Sequence, residues 1–168
     1  EVGLRYFTDI GLKDLEVDIN SVGCDKCRPG YKDALKGYFK DRSSKLCETC
    51  LARMETNILR VLDCKDEKCQ KIINEAPASV DHLCAECSAH FSSVKKLMDN
   101  LGMKYKVSKK LVRGLDYYNR TTFEIVSRSL GAQNAVCGGG RYDKLVEELG
   151  GKATPAVGFA IGLDRLIM

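Results

Sequence analysis

Eight of the nine cysteines in this 168-residue chain fall in four close pairs, and this spacing constrains the fold more than any other feature of the sequence. The pairs are Cys24/Cys27, Cys47/Cys50, Cys64/Cys69 and Cys84/Cys87. Three of them have the Cys-x-x-Cys spacing at which two thiolates can bind one metal ion. The pattern therefore predicts four-thiolate zinc sites, one or two in number.

The sequence does not fix which cysteine pairs share a metal ion. Taken in chain order, the first two pairs would form one zinc site and the last two would form a second. Spacing alone leaves the other two arrangements open. His82 and His90 are lesser ligand candidates, since each is more typical of a helix surface. Free thiols in a reducing cytosol are the main alternative, and disulfides are favoured less than either. Cys137 has no neighbour in sequence to pair with and is expected to be a small core residue.

Composition and charge exclude several classes of protein. The chain is 44% hydrophobic and 30% charged, which is typical of a folded globular protein and not of a fibrous or disordered one. Its most apolar stretch, residues 156–163, is interrupted by glycines and is too short to span a membrane. Residues 24–110 carry 18 basic and 12 acidic side chains. This middle part is the one most able to meet a polyanion, although a solvated lysine-rich surface is the simpler interpretation.

The hydrophobic pattern divides the chain into three segments. Residues 1–23 predict a helix and then a strand, on which Leu15, Val17 and Ile19 alternate with polar residues. Residues 24–103 predict an almost entirely helical segment, with helices after Pro29, over 44–62, over 69–76 and from 79 to Gly102. Short helices of this kind bury little by themselves, so bound metal would stabilise the segment.

The third segment, residues 104–168, returns to strands. The predicted elements are strands at 104–109, 121–127, 135–138 and 156–161 and helices at 141–149 and 162–168. Between the first two strands, residues 111–118 (LVRGLDYY) hold Arg113, Asp116 and two tyrosines. Arginine offers a rigid fork of donors for a carboxylate or phosphate, and tyrosine offers an apolar plate with a polar tip. A turn closed by an ion pair between Arg113 and Asp116 is the structural alternative.

Two further motifs follow in the same segment. Residues 138–143 (GGGRYD) begin with three glycines, which let a ligand approach the backbone closely, although such a run is more often a bend. Residues 158–166 place Arg165 in the first turn of a helix that follows a buried strand. The helix dipole disfavours a cation there, and an anionic ligand would offset that cost. A surface ion pair with Asp164 is the alternative.

Together and in this order, the three motifs resemble the catalytic core of the histidyl-tRNA synthetases, a family of class II aminoacyl-tRNA synthetases. Residues 111–118 and 138–143 are similar to the two histidine-specific signatures of the family, and residues 158–166 are similar to class II motif 3. The resemblance implies an α+β fold, namely part of a class II antiparallel sheet with flanking helices and a helical insertion, which the cysteine spacing predicts to be zinc-stapled. It assigns residues 1–23 and 104–168 to the catalytic core and residues 24–103 to the insertion domain.

The resemblance also implies a reaction and roles within it. Members of the family join histidine to ATP as an adenylate, with Mg²⁺ accompanying the ATP, and then transfer histidine to the 3′ end of its tRNA. Arg113 would be the catalytic residue and would contact both the histidine carboxylate and the α-phosphate, while Arg165 would bind the γ-phosphate. The residues that would bind histidine are Arg113, Tyr117, Tyr118, Gly139, Gly140 and Tyr142.

Partners follow from the same resemblance. The insertion lies near the tRNA acceptor stem in this family, so its basic residues are candidate phosphate contacts: Lys32, Lys36, Lys40, Arg42 and Lys45. A cytoplasmic homodimer without membrane association is expected. Motifs 1 and 2 and the anticodon-binding domain have no match here, so the chain is expected to be a piece that is inactive by itself. Two alternatives remain: a regulatory paralogue that binds histidine, and a zinc module that binds nucleic acid.

Overall fold

A five-stranded sheet with the strand order β2-β1-β3-β4-β5 organises the chain in the computed structural model, which describes residues 1–167 and, of residues 131–133, only the backbone. The strands are β1 (Leu15–Ser21), β2 (Lys106–Val107), β3 (Asn119–Ser127), β4 (Ala135–Arg141) and β5 (Val157–Ile161). All neighbouring pairs are antiparallel except β1 and β2, which are parallel. The expected antiparallel sheet is therefore a mixed one, because one of its four strand pairs is parallel. The helical segment between β1 and β2 acts as a crossover that returns the chain to the same end of the sheet.

The glycine run lies within a strand. β4 continues through Gly138, Gly139 and Gly140 to Arg141, and these residues pair with β3 on one side and β5 on the other. The predicted helix at 141–149 is reduced to a single turn, α6 (Leu145–Glu148). Two ladders of hydrogen bonds hold these flexible residues extended, and this tertiary pairing overrides their weak strand propensity.

The last strand was predicted to be buried, and the structure contradicts this. β5 is an edge strand whose Val157 is 73% exposed and whose Phe159 is 44% exposed. Its apolar sequence resembles that of a central strand, but no strand pairs with its outer edge within residues 1–167. The predicted helix after it is α7 (Leu163–Ile167), and Met168 lies outside the described residues.

The remaining helices are α1 (Val2–Asp9), α2 (Arg28–Lys40), α3 (Glu48–Thr56), α4 (Glu67–Asn74) and α5 (Ala85–Asn100). The single helix predicted over 44–62 is wrong, because α3 is flanked by 3-10 turns at Ser43–Lys45 and Ile58–Asp63. Asn57 causes the second break. Its backbone is extended, and its side chain accepts a hydrogen bond from the Leu59 N–H, which starts a new turn.

Two hydrophobic cores result. The sheet core lies under β1, β3 and β4 and includes Phe7, Ile19 and, from α5, Phe91. The insertion core lies among α2, α3 and α4 and also takes in Val112, which comes from the segment between β2 and β3. The division of the chain into a catalytic core and an insertion at residues 24 and 103 remains a prediction. Among residues 1–167, no helix is both long and apolar enough to cross a lipid bilayer.

Candidate functional site

Arg113 lies flat against the glycine strand. A Cβ atom built on Gly138 would overlap its guanidinium group, at 2.7 Å from Cζ. Nη1 of Arg113 donates to Oε1 of Glu124 on β3, at 2.6 Å, and both side chains are about a quarter exposed. Glu124 is not among the site residues predicted from the sequence, and the predicted alternative, an ion pair between Arg113 and Asp116, is wrong. Asp116 instead accepts a hydrogen bond from Asn57.

The electrostatics of this pair leave the arginine able to bind an anion. Burial raises the pKa of Glu124, and the charge and the hydrogen bond of Arg113 oppose that rise. A guanidinium group has five N–H donors, and Glu124 accepts from Nη1 alone. The Nε–H is buried and has no acceptor among residues 1–167. Arg113 therefore keeps donors for a carboxylate or a phosphate.

Three tyrosines form a wall beside Arg113. The ring centroids of Tyr117 and Tyr118 are 4.5 Å apart, and both rings meet Tyr142 edge-on, at 5.7 and 6.0 Å. The guanidinium carbon of Arg113 is 5.9 Å from the Tyr118 ring. A hydrogen bond with Tyr118, together with burial, raises the pKa of Tyr117 to about 12, so its hydroxyl stays neutral. An aromatic wall beside a cation suits a ligand with one flat ring and one anionic group.

The pleat of β4 decides which glycines belong to this site. A Cβ on Gly140 would lie 2.9 Å from Cδ1 of Tyr118 and 2.7 Å from the carbonyl oxygen of Thr121. A Cβ on Gly139 would instead meet Phe159, on the opposite face of the sheet. Gly138 and Gly140 therefore form the floor under Arg113 and Tyr118. The predicted floor consisted of Gly139 and Gly140. Because alternate residues of a strand face opposite sides of the sheet, Gly138 lies on this face and Gly139 does not.

Arg165 lies apart from this group. Its Nη1 donates to the carbonyl oxygen of Ala135, at the beginning of β4, and it lines a pocket with residues 11–14 and Ser129. The predicted ion pair with Asp164 is not among those formed within residues 1–167. The structure thus brings Arg113, Tyr117, Tyr118 and Tyr142 together and does not bring Arg165 to them.

The cysteine pairs form two clusters, but not in chain order. The proximal cluster consists of Cys24, Cys27, Cys84 and Cys87, and the distal cluster consists of Cys47, Cys50, Cys64 and Cys69. The pairing in chain order is therefore wrong. In the sequence, all four cysteines of the distal cluster lie between the two pairs of the proximal cluster. The physical reason is that β1 is a strand of the sheet and α5 packs on the same sheet. The first cysteine pair follows β1 and the last lies at the start of α5, so the two pairs meet.

The sulfur positions fit a tetrahedral metal ion. All four ligand atoms in each cluster lie within 4.8 Å of one another. The Cys24–Cys27, Cys24–Cys84 and Cys47–Cys64 sulfur pairs are each 3.8 Å apart. Zn–S bonds of about 2.3 Å in a tetrahedron require sulfur separations of about 3.8 Å, whereas a disulfide needs about 2 Å. All nine cysteines are free thiols, and neither histidine belongs to a cluster within the described chain.

Helix starts contribute to the thiol chemistry. Cys27, Cys47 and Cys84 directly precede α2, α3 and α5. A hydrogen bond from the backbone of Cys50, in the first turn of α3, holds the pKa of Cys47 below its usual value. Burial opposes ionisation of Cys24, but hydrogen bonds, the strongest from the backbone of Lys26 and Cys27, outweigh it and lower its pKa to about 7. Burial instead raises the pKa of Cys69 to about 11. Cys137 is 2% exposed in the sheet core, which confirms its predicted place.

The basic candidates divide into two groups. Arg42 and Lys45 line a groove that also contains Lys68 and Lys71 of α4, which are not among the contacts predicted from the sequence. Arg42 stacks on the Tyr38 ring at 4.0 Å and donates to its carbonyl oxygen. The other three candidates do not line this groove and recur at every fourth position of α2: Lys32, Lys36 and Lys40. The groove is the stronger candidate for a polyanion, because four cations converge there.

A cation beside an aromatic wall can bind a ligand that has an anionic group and a flat ring. The sequence profile described as histidyl-tRNA synthetase matches residues 25–166. The histidine–tRNA ligase of Acetivibrio thermocellus is 53% identical over 163 residues, which cover 97% of this chain and 39% of that protein. The ligase of Desulforamulus reducens is 54% identical, with coverages of 99% and 40%.

A solved structure agrees with these matches. Apo histidyl-tRNA synthetase of S. aureus superposes with a TM-score of 0.71 at 34% identity, covering 98% of this chain and 40% of that one. The chain therefore belongs to the histidyl-tRNA synthetase family. It spans about 40% of the length of the curated relatives that it matches.

Proposed function

We propose that this chain supplies the histidine-binding part of an enzyme that ligates histidine to its tRNA through a histidyl-adenylate. The observation that carries the proposal is the contact of Arg113 with both Glu124 and the glycine floor, beside the wall of three tyrosines. In this orientation a bound histidine can place its imidazole against the tyrosines and its carboxylate at the guanidinium.

Arg113 would act where charge develops. The carboxylate oxygen of histidine attacks the α-phosphorus of ATP, a P–O bond to the attacking oxygen forms, and pyrophosphate leaves with its bonding electron pair. Because the nucleophile is already an anion, this step needs no general base. Negative charge grows on the non-bridging oxygens of the five-coordinate phosphorus, and a fixed guanidinium can stabilise it without reorganisation. Glu124 would position Arg113.

Selectivity for histidine would come from the tyrosines. The neutral hydroxyl of Tyr117 and those of Tyr118 and Tyr142 can form hydrogen bonds with the ring nitrogens of an imidazole. A buried polar site rejects ligands that lack the matching groups more strongly than an apolar pocket does. Mg²⁺ that arrives with ATP would neutralise phosphate charge. Arg165 is proposed to bind the γ-phosphate, which requires its side chain to leave the carbonyl of Ala135.

The insertion is proposed to have two roles. Each cysteine cluster would bind one Zn²⁺ ion, because the separations of the thiols match a tetrahedral site. The groove of Arg42, Lys45, Lys68 and Lys71 would contact phosphates of the tRNA acceptor stem. Contacts of this kind orient the nucleic acid and contribute a salt-dependent part of its affinity.

The proposed function can be tested in a chimaera. Residues 1–168 replace the matching segment of the Acetivibrio thermocellus ligase, and histidine-dependent exchange of pyrophosphate into ATP and histidylation of tRNA are both measured. We expect both reactions at rates within about tenfold of the parent. A chimaera that binds histidine but neither exchanges pyrophosphate nor charges tRNA would contradict the proposal and favour a regulatory paralogue.

A further inference from the structure

The segment that carries Arg113 is held from outside the sheet. We name residues 111–118 the arginine loop; it lies between β2 and β3 and belongs to neither. Val112 is 5% exposed within the insertion core, where Cys64 of the distal cluster is also buried. Nδ2 of Asn57 donates to Oδ1 of Asp116 at 2.9 Å. Two donors of Arg28 reach the carbonyl oxygens of Asp116 and Tyr118, at 3.4 and 2.5 Å.

The two donor side chains, Arg28 and Asn57, lie on segments that also carry cluster cysteines. Arg28 directly follows Cys27 of the proximal cluster and begins α2. Asn57 lies between Cys50 and Cys64 of the distal cluster and starts the 3-10 turn Ile58–Asp63, which ends at Cys64. The arginine loop is thus contacted at its middle and end by two segments, one of which begins beside Cys27 and the other of which ends at Cys64.

We propose that zinc ions bound by the two clusters position the arginine loop, through Arg28 from the proximal cluster and through Asn57 from the distal cluster. An effect of zinc on catalysis would follow only if Arg113 has the catalytic role given under the proposed function. Arg28 and Asn57 are positioning residues, since neither touches the site of reaction.

Apart from its hydrophobic core, the insertion has only short helices to fix the positions of these donors. α3 and α4 have 9 and 8 residues, and isolated helices of that length are marginal in water. A metal ion fixes the relative positions of two such helices by four bonds of defined length. The side chain of Asn57 also has two partners, because it caps its own turn and donates to Asp116, so any shift of that turn is passed to the loop.

The first experiment measures metal and loop order in the 168-residue chain. We expect about two zinc ions per chain by elemental analysis, and about one after Cys47→Ser/Cys50→Ser. Amide hydrogen exchange of residues 111–118 should then become at least about tenfold faster, while β3 and β4 keep their protection. Cys137→Ala is the matched control and should keep both zinc ions. A chain without zinc, or a loop whose exchange is unchanged by zinc loss, would overturn the inference.

The second experiment avoids any change in the metal sites. Asn57→Asp keeps the oxygen that caps Leu59 but replaces the donor to Asp116 with a repelling carboxylate, and Asp116→Asn removes the acceptor charge. Each single variant should speed loop exchange several-fold with zinc content unchanged, and the double variant should restore protection, because donor and acceptor are exchanged. Thr56→Ala is the exposed neighbouring control. A double variant that exchanges as fast as the single ones would overturn the inference.

The same variants in the chimaera separate the two proposals. Asn57→Asp should lower kcat for pyrophosphate exchange several-fold with little change in the KM for histidine, and the double variant should recover it. A purely structural role of Asn57 would show no such recovery. If the proposed function fails, the chimaera is inactive while the loop stays protected by zinc. If the present inference fails, the chimaera is active and its kcat for pyrophosphate exchange is the same with Asn57→Asp alone and with the double variant.

Discussion

The sheet and the insertion are stabilised by different means. In the sheet, ladders of backbone hydrogen bonds join strands that are distant in sequence, and apolar side chains such as Ile19 and Ile125 pack beneath them. In the insertion, backbone hydrogen bonds run mainly within each short helix and link only near neighbours. Three cysteines of the distal cluster are buried in its core: Cys50, Cys64 and Cys69. Where backbone pairing supplies no long-range order, side chains that can share a metal ion can supply it.

The two cysteine clusters differ in whether they reach the sheet. The proximal cluster joins the end of β1 to the start of α5, which packs Phe91 onto the sheet, so it closes the insertion against the sheet. The distal cluster links only elements of the insertion to one another. We therefore expect bound metal to contribute far more to the stability of the insertion than to that of the sheet.

Removal of zinc should separate the two regions most strongly. A high-affinity chelator applied to the chain should unfold α2, α3 and α4 while the amides of β1, β3 and β4 remain protected from exchange. Four-thiolate sites in small domains contribute about 10 kcal/mol or more of apparent binding free energy, which exceeds the stability of such short helices. Hydrogen exchange followed by mass spectrometry measures both regions in one sample. Simultaneous unfolding of sheet and insertion would show that they form one cooperative unit.

Arg113→Ala tests the chemistry placed on the sheet side. In the chimaera we expect kcat of adenylate formation to fall by about 10²-fold or more, as loss of one preorganised donor typically does. The KM for histidine should change much less, because the loss is confined to the transition state. Arg113→Lys should recover little, since an ammonium group cannot bridge two oxygens as a planar fork does.

The control for this variant is Arg5→Ala, which removes an exposed arginine whose side chain pairs with Glu1. It should leave both constants unchanged. An Arg113→Ala enzyme that shows only a raised KM for histidine would reduce Arg113 to a binding residue.

Two glycines should respond in opposite directions. A Cβ on Gly140 of the sheet would lie 2.7 Å from the backbone oxygen of Thr121, so Gly140→Ala should lower the free energy of unfolding by about 1–3 kcal/mol. Gly37 lies within α2 and has open space around its missing side chain. Gly37→Ala should therefore raise it by about 0.5–1 kcal/mol. Urea unfolding monitored by circular dichroism tests both, and equal effects of the two changes would contradict the contrast.

The smallest effect concerns the basic groove. Lys68→Ala and Lys71→Ala in the chimaera should each raise the KM for tRNA a few-fold and lower the salt dependence of tRNA binding by about one phosphate contact. Adenylate formation, which needs no tRNA, should not change. Lys152→Ala, an exposed lysine remote from the groove in sequence, is the matched control. Equal effects of Lys152 and Lys68 would show that the groove has no particular part in binding.

Sequence patterns predicted most elements and failed where tertiary contacts compete with local preference. The alternation of Leu15, Val17 and Ile19 predicted β1, because a strand half-buried on a sheet imposes that period. The continuous helix over 44–62 failed at Asn57, whose side chain offers the backbone a different hydrogen-bond partner. The buried interpretation of β5 failed because apolar sequence is the same in a central strand and in an edge strand.

The residue types of the site and their local spacing can be read directly from the sequence: the Cys-x-x-Cys pairs, the arginine and tyrosines of residues 111–118 and the glycine run. Which of these residues meet depends on the tertiary fold. It joined Cys24 to Cys84 across 60 residues, gave Arg113 its partner Glu124 and placed Arg165 apart from both. The physical reason is that thiol clusters and ion pairs form through space, where strand register and helix packing set distances that separation along the chain does not encode.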